Sequence, residues 1–414
     1  MGYSHKVITG FSWDSVLNLF LYLLTIIKTF FLARVLSPSE FGLFSLVIIA
    51  LGISEAITQT GINLTIIQSQ HSVEYFLNTA WVIAIGRGFI IGILMILLGL
   101  GVNSHFHEPT LLPLISLAAL IPIIKGFINP YVVVLHKKMQ FLQDVAYRFL
   151  IQASLIVLSL LLGVVFKNVY ALVFAMIVAA LIETFASFLL FKQRPIFEYI
   201  PSRAKEIFGN AKGLTVNSLF HYLVENLDDF LIGSLTSTYA LGLYHNSYSL
   251  THKISYEVAK SVHYGTIPVY TRLQLDQKRL RRAFLKTLFF TLGLTGAICT
   301  PIYIWHESII TFLLGPNWTE TIPLIRPLIG AGIIQSVFMV CYTLMLAVKQ
   351  YRWMNFHLLL SLISMTIMIV WFGRTQEITE AVMGLFYSRL LVLPLLIWII
   401  WHQFFKEKER KCPS

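Results

Sequence analysis

Between residues 8 and 404 the chain passes through twelve apolar windows separated only by short polar or Gly/Pro punctuation. They lie at roughly 8 to 34, 41 to 68, 74 to 102, 109 to 135, 143 to 166, 169 to 192, 204 to 233, 239 to 267, 280 to 305, 319 to 348, 352 to 373 and 378 to 404. A helix needs roughly 20 mostly apolar residues to cross a bilayer, so each window is long enough to span one. The period-2 alternation of a membrane barrel is absent. The expected fold class is therefore all-α, a polytopic membrane protein of twelve transmembrane helices. Composition agrees: 57% of the 414 residues are hydrophobic and 12% are charged, about half the charge fraction of a soluble domain. That is too little polar surface for an ordinary soluble enzyme.

Met1 to Gly10 leads into the first apolar run with no small-residue cleavage site, which reads as a first spanning helix rather than a removable signal. Cys299, Cys341 and Cys412 are an odd, widely spaced set that makes neither a disulfide framework nor a metal-ligand pattern. Twenty of the 31 basic residues fall in the loops on one side: Lys6, Lys137 with Lys138 and Arg148, Lys192 to Lys205, Arg272 to Lys286, Lys349 with Arg352, and Lys406 to Lys411. The opposite loops hold only Arg34, Lys167 and Arg374. The positive-inside rule then puts both termini in the cytoplasm, and an even number of spans satisfies it. The net charge of +11 is accounted for mostly by these anchors against anionic lipid, and no nucleic-acid partner is expected.

The two halves repeat at an offset of about 200 to 210 residues. Phe41-Gly42-Leu43-Phe44 after the first window answers to Leu241-Gly242-Leu243-Tyr244 after the seventh, and Pro113-Leu114-Ile115 to Pro323-Leu324-Ile325. Six helices separate equivalents, so the expected organisation is two six-helix lobes of one topology, residues 1 to 200 and 201 to 414. The join from Lys192 to Arg203, with Ile196, Phe197 and Tyr199 among charges, reads as an interfacial strip.

Eight basic residues remain inside the windows: Lys28, Arg87, Lys125, Lys212, Lys253, Lys260, Arg326 and Arg389. A charge in a spanning helix costs about 2.5 to 3.5 kcal/mol on insertion scales, so each needs a partner or a water-filled cavity. In the first window Asp14, Asn18, Thr25 and Lys28 share an arc of about 80°. Glu55, Thr58, Gln59 and Asn63 make a broader polar face in the second. In the seventh, Asn210, Asn217, His221, Glu225 and Asp228 form one stripe, and in the eighth Ser249, Lys253, Tyr256 and Lys260 form another. These last two stripes either neutralise each other, Glu225 and Asp228 against Lys253 and Lys260, or contact a ligand or coupling ion directly. The first half is less balanced: Lys28, Arg87 and Lys125 face only Asp14, Glu55 and Glu183. Excess cation at membrane depth suits an anionic substrate such as a phosphate, which Arg87 can grip with two nitrogens. Arg326 and Arg389 are the weaker candidates.

No phosphate-cradling Gly-rich loop, no His-Glu-x-x-His and no soluble portion large enough for an ATPase are present. His105-Phe106-His107-Glu108 reads as a solvated outer loop ahead of a metal site. The chain is thus expected to be a transporter and not an enzyme, without cofactor or metal, drawing on a proton or sodium gradient or on membrane potential.

Several fragments in order resemble the polysaccharide and lipid-linked oligosaccharide flippases of the multidrug/oligosaccharidyl-lipid/polysaccharide exporter superfamily. They are Leu32-Ala33-Arg34-Val35-Leu36-Ser37-Pro38-Ser39-Glu40-Phe41-Gly42-Leu43-Phe44, Gly61, Leu135-His136-Lys137-Lys138-Met139-Gln140-Phe141, Asn226-Leu227-Asp228-Asp229-Phe230-Leu231-Ile232-Gly233, Leu241-Gly242-Leu243-Tyr244, Pro268 and Leu314-Gly315-Pro316-Asn317-Trp318. The resemblance implies movement of an undecaprenyl-pyrophosphate-linked repeat unit to the outer leaflet of a bacterial inner membrane by alternating access, for O-antigen, capsule or exopolysaccharide synthesis. A polysaccharide polymerase and a chain-length regulator are the protein partners it implies. Lys137 departs from the family's usual Arg and reads as a cytoplasmic anchor. On the residues alone the best substrate contacts are Lys28, Arg87 and Lys125, with Lys253 and Lys260 next, and Glu55, Glu225 and Asp228 are the ion-coupling candidates. The rival readings are an ion-coupled drug exporter of the same superfamily and a non-transporting membrane protein of polysaccharide assembly.

Overall fold

A computed structural model describes residues 20 to 405 apart from 22, 139 and 210, and among the described residues there are helices and no strands. Asp14 and Asn18, Asn210, the tail from Lys406 with Cys412, and the side chains of Lys212, Asn217 and His221 lie outside the described residues. The chain divides into two compact units, Met1–Leu227 and Asp228–Ser414.

The first unit holds α1 (Leu23–Ala33), α2 (Pro38–Ile57), α3 (Ile62–Gln68), α4 (Val73–Phe106), α5 (Leu111–Ala118), α6 (Leu120–Gly126), α7 (Val134–Lys137), α8 (Phe141–Phe166), α9 (Tyr170–Leu190) and α10 (Pro201–Phe208). Helix α11 (Ala211–Leu235) carries the division between units. The second unit continues with α12 (Thr238–Leu250), α13 (His252–Leu273), α14 (Gln277–Leu313), α15 (Ile322–Ala347), α16 (Tyr351–Phe372) and α17 (Ile378–Ile400).

All twelve apolar windows hold helix, and among the described residues eight helices are long and apolar enough to cross a membrane by themselves. A bent pair, Leu111–Gly126 with Pro130–Lys137, makes up to nine. The first, seventh and eighth windows are helical too, and they are the ones with the polar stripes.

Continuous helices over 41 to 68, 109 to 135 and 239 to 267 are not what forms; each is broken. In the second window Gly61 takes φ 71°, the left-handed conformation that glycine adopts without a Cβ penalty, and α2 stops short of it. In the fourth, Pro130 has no N–H to give and holds Asn129 in extended backbone, so the two pieces meet at 69°. The eighth breaks at Thr251, with φ −129° and ψ −79°. Here Ser247 and Thr251 turn their hydroxyls back onto the carbonyls of Leu243 and Ser247 at 2.7 and 2.6 Å, a habit that bends helices.

Ser37 and Glu40 form a reciprocal capping box at the head of α2, with Pro38 next to the cap. The segment after α9 is stapled to the first unit: Asn78 donates to Glu198 at 2.7 Å and accepts from the Ile196 N–H at 3.1 Å. Arg203 lies over the Tyr75 ring at 4.4 Å. Ile196, Phe197 and Tyr199 remain exposed, the face an interfacial strip presents.

Candidate functional site

The break in the second span creates the first concentration of donors. The end of a helix leaves carbonyls without intrahelical partners, and inside an apolar segment water cannot supply them. Arg87, on α4, does so for α2: its Nε donates to the Thr58 carbonyl at 2.8 Å and its Nη2 to the Glu55 carbonyl at 3.1 Å. Thr215, on α11, donates its hydroxyl to the Gln59 carbonyl at 2.8 Å. Two turns back along α2, the Tyr222 hydroxyl reaches the Ile49 carbonyl at 3.1 Å.

Lys137 does the same for α3. Its ammonium donates to the carbonyls of Ile66, Ser69 and His71 at 2.6, 2.9 and 2.5 Å. All three protons of the lysine are used, so this side chain clamps the end of α3 rather than anchoring to lipid as its sequence position suggested.

Arg87 and Lys125 are brought to one place. Helices α4 and α6 cross closely enough that a Cβ on Gly88 would lie 2.5 Å from the Pro122 carbonyl oxygen, and one on Gly126 would lie 2.9 Å from that of Ala84. Each basic residue immediately precedes one of those glycines, so both flank the crossing. Lys125 Nζ is 4.0 Å from Glu183 Oε2, with the lysine side chain half exposed and the carboxylate largely covered. Arg87 rests on neutral carbonyls; among the described residues no carboxylate comes within 4.0 Å of it. Its charge is held in place by those carbonyls, with Glu55 acting on it from a distance and no contact ion pair among the described residues. Lys28 sits half-buried on α1, a helix that meets α8 where Leu32 fills the space over Gly163 and Phe20 stacks on Phe149.

In the second unit the expected neutralisation of Asp228 by Lys253 and Lys260 does not occur. Lys260 pairs with Glu257 on its own helix at 3.9 Å and lies over the Tyr256 ring. Lys253 is exposed. Asp228 turns instead to Tyr244, whose hydroxyl donates to its Oδ2 at 2.6 Å, and Asp229 lies 3.3 Å from His245 Nδ1. The physical reason is rotational: Asp228 is 2% exposed and packed toward α12, while the lysine stripe on α13 faces outward. Glu225 is half-buried one turn earlier on α11 and engages a partner of its own.

A model of the family described as "Polysaccharide biosynthesis protein" matches residues 31–323. The chain belongs to that family. Among curated relatives, the lipopolysaccharide biosynthesis protein WzxC of Escherichia coli (strain K12) is 21% identical over 347 residues, covering 81% of this chain and 69% of the relative. An uncharacterized membrane protein in the cps region of Klebsiella pneumoniae is 22% identical over 339 residues, covering 80% and 69%. Two solved structures share the fold. An inward-facing multidrug resistance MATE family transporter of the MOP superfamily superimposes with TM-score 0.65 at 13% identity, over 93% of this chain and 97% of that one. The lipid II flippase MurJ in an inward closed conformation does so with TM-score 0.63 at 13% identity, over 93% and 87%. The family member described here is accordingly a multi-pass membrane protein of polysaccharide biosynthesis with an all-α fold common to MATE transporters and MurJ.

Several residues escaped the sequence reading. Tyr244 entered that reading only as the end of the fragment Leu241-Gly242-Leu243-Tyr244, with no role assigned, and His252 did not enter it. Arg389, ranked low by position, is 6% exposed and donates to the Gln335 side chain on α15. A signal existed for that pair: Gln335 and Arg389 are isolated large polar residues in otherwise apolar windows, and such residues need each other.

Proposed function

We propose that this family member is a flippase that carries an undecaprenyl-pyrophosphate-linked oligosaccharide from the cytoplasmic to the outer leaflet of a bacterial inner membrane. Alternating access is the mechanism, and the product feeds synthesis of a surface polysaccharide such as O-antigen, capsule or exopolysaccharide. Both termini are cytoplasmic in this reading, and the lipid product passes to a polymerase under a chain-length regulator. The protein moves its substrate and transforms none of its bonds.

One observation carries the proposal: Arg87 stands at the α4–α6 crossing, inside a spanning helix, bonded to backbone carbonyls and in contact with no carboxylate among the described residues, with Lys125 beside the same crossing. A pyrophosphate needs cations at that depth because it leaves water there, whereas the prenyl chain can stay in lipid. Arg87 has Nη1 left to offer, and Lys125 can exchange its loose contact with Glu183 for a phosphate oxygen. Lys28 supplies a further cation from α1, and Lys253 and Lys260 are secondary contacts on α13. The family match and the likeness to WzxC support the substrate class.

The test is complementation of a cell that lacks its oligosaccharide flippase, with lipid-linked sugar assayed on each leaflet. The proposal expects the sugar to reach the outer leaflet. Continued cytoplasmic accumulation in cells that express the protein well would overturn it.

A further inference from the structure

Tyr147, in the second turn of α8, carries a hydroxyl with nothing to bond. The residue is 6% exposed, and among the described residues its Oη has no hydrogen-bond partner. A buried hydroxyl in that state forfeits its hydration for no return, which is why such atoms are rare in folded proteins.

Its surroundings supply the reason. Tyr147 packs in one buried cluster with Ala186, which stands one turn along α9 from Glu183. The Glu183 charge acts on the Tyr147 hydroxyl across that gap. On the far side of Glu183, Thr184 donates to the Ile124 carbonyl at 3.2 Å, which fixes α9 against α6 and sets Glu183 beside Lys125. Helix α6 is held from its other side too, by the close approach of Gly126 to α4. The helix backbones are thus pinned, and only side chains are left to move.

The Glu183 carboxylate is poorly served where it stands. Its side chain is 18% exposed, and Lys125 Nζ at 4.0 Å is a charge partner beyond hydrogen-bond length. A covered carboxylate that loses its cation needs a replacement donor, since an uncompensated buried charge is strongly destabilising. The other hydroxyls nearby are committed. Thr184 gives its proton to the Ile124 and Ala180 carbonyls, Ser187 to the Thr184 carbonyl, and Tyr131 to Glu74. Tyr147 is the one that keeps its proton unassigned among the described residues.

We propose that Tyr147 is the standby donor for Glu183: when the Lys125 ammonium leaves for a phosphate oxygen, the Glu183 carboxylate turns away and accepts a hydrogen bond from Tyr147 Oη. The phenol keeps its proton and no covalent bond changes. Tyr147 touches no substrate; it is a positioning residue that makes Lys125 easier to release, and the return of Lys125 to Glu183 frees the hydroxyl again. The exchange is a property of these three side chains, whereas the identity of the phosphate as part of a lipid-linked sugar rests on the flippase reading.

A ligand-free cycle on full-length protein in detergent tests the exchange, with Lys125→Met imitating the departed lysine. Tyr147→Phe in the parent removes an unbonded hydroxyl and should leave the melting temperature unchanged or slightly raised. In the Lys125→Met background the same change should lower it by about 2 °C or more. Equal shifts in the two backgrounds overturn the proposal.

Should Lys125→Met fail to fold, the affinity for inorganic pyrophosphate, measured on protein in phosphatidylethanolamine and phosphatidylglycerol liposomes, decides instead. Tyr147→Phe should weaken binding about fivefold, as the loss of one hydrogen bond would. With Glu183→Met present, no carboxylate needs the donor and Tyr147→Phe should change nothing. Equal weakening with and without Glu183 would make Tyr147 a packing residue only and overturn the exchange. Pyrophosphate that does not bind the parent protein counts against the flippase reading and leaves the exchange standing on the melting cycle; equal melting shifts sink the exchange whether or not pyrophosphate binds.

Discussion

Arg87 Nε lies 2.8 Å from the carbonyl oxygen of Thr58, the residue that closes α2. A guanidinium read from sequence as a phosphate grip is thus also the cap of a broken spanning helix, which engages Nε and Nη2 and leaves Nη1 for a ligand. Replacing Arg87 by Ala is expected to remove detectable translocation and to lower stability by about 2 kcal/mol, since hydrogen bonds to a charged group contribute about 1.5 to 3 kcal/mol. Arg87→Lys keeps the charge but not the two-nitrogen fork, and should retain partial transport. Leaflet-resolved assays of lipid-linked sugar with matched membrane expression check both, and unimpaired transport in Arg87→Ala would take the residue out of the site.

Lys137 satisfies three carbonyls with one ammonium. Methionine at this position preserves the stem and abandons all three, so the apparent melting temperature in detergent should fall steeply, reflecting about 3 kcal/mol. Arginine, the residue usual at this place in the family that the sequence resembles, carries enough donors to hold at least two of the carbonyls and should restore most of the loss. Equal melting temperatures for Lys137→Met and the parent would show the clamp to be dispensable.

The pair Lys125–Glu183 is loose and half exposed, so its contribution to stability is small. A double-mutant cycle with Lys125→Ala and Glu183→Ala, read by thermal melting, should give a coupling below about 1 kcal/mol. Transport should respond differently: Lys125→Ala impairs it, and the charge-swapped pair Lys125→Glu with Glu183→Lys fails to restore it. Restoration by the swap would make Lys125 a structural partner only.

Helices α4 and α6 have no room for a methyl group at Gly88, where a Cβ would sit 2.5 Å from a backbone oxygen. Backbone on both sides cannot yield as a side-chain tip could, so Gly88→Ala should cost about 1 to 3 kcal/mol. By contrast Gly86→Ala, two residues away and facing open space, should be neutral or slightly stabilising. Yield and melting temperature of the two variants, compared side by side, test the crossing that places Arg87 beside Lys125.

Length and spacing of the apolar windows sufficed to announce the helices, because burial in a bilayer dictates helix by itself: every backbone polar group must be satisfied within the segment. The capping box at Ser37 and Glu40, a local signal over four residues, came only from the structure. The charges that membrane depth makes expensive were legible. What they bond to was not. Arg87 to Thr58 crosses 29 residues, Lys137 to Ile66 crosses 71, and Arg389 to Gln335 crosses 54. A stripe shows only which face of a helix is polar. It does not show that Asp228 turns toward Tyr244 and away from Lys253 and Lys260, since that choice depends on how α11 is rotated against its neighbours.

By itself, then, the sequence determined that this is an all-α membrane protein and which residues carry its costly charges, both consequences of solvent exclusion acting on single helices. Tertiary structure alone decided which carbonyls and carboxylates each charge meets. Those contacts join residues that only packing brings within hydrogen-bond distance, and no property of one helix encodes them.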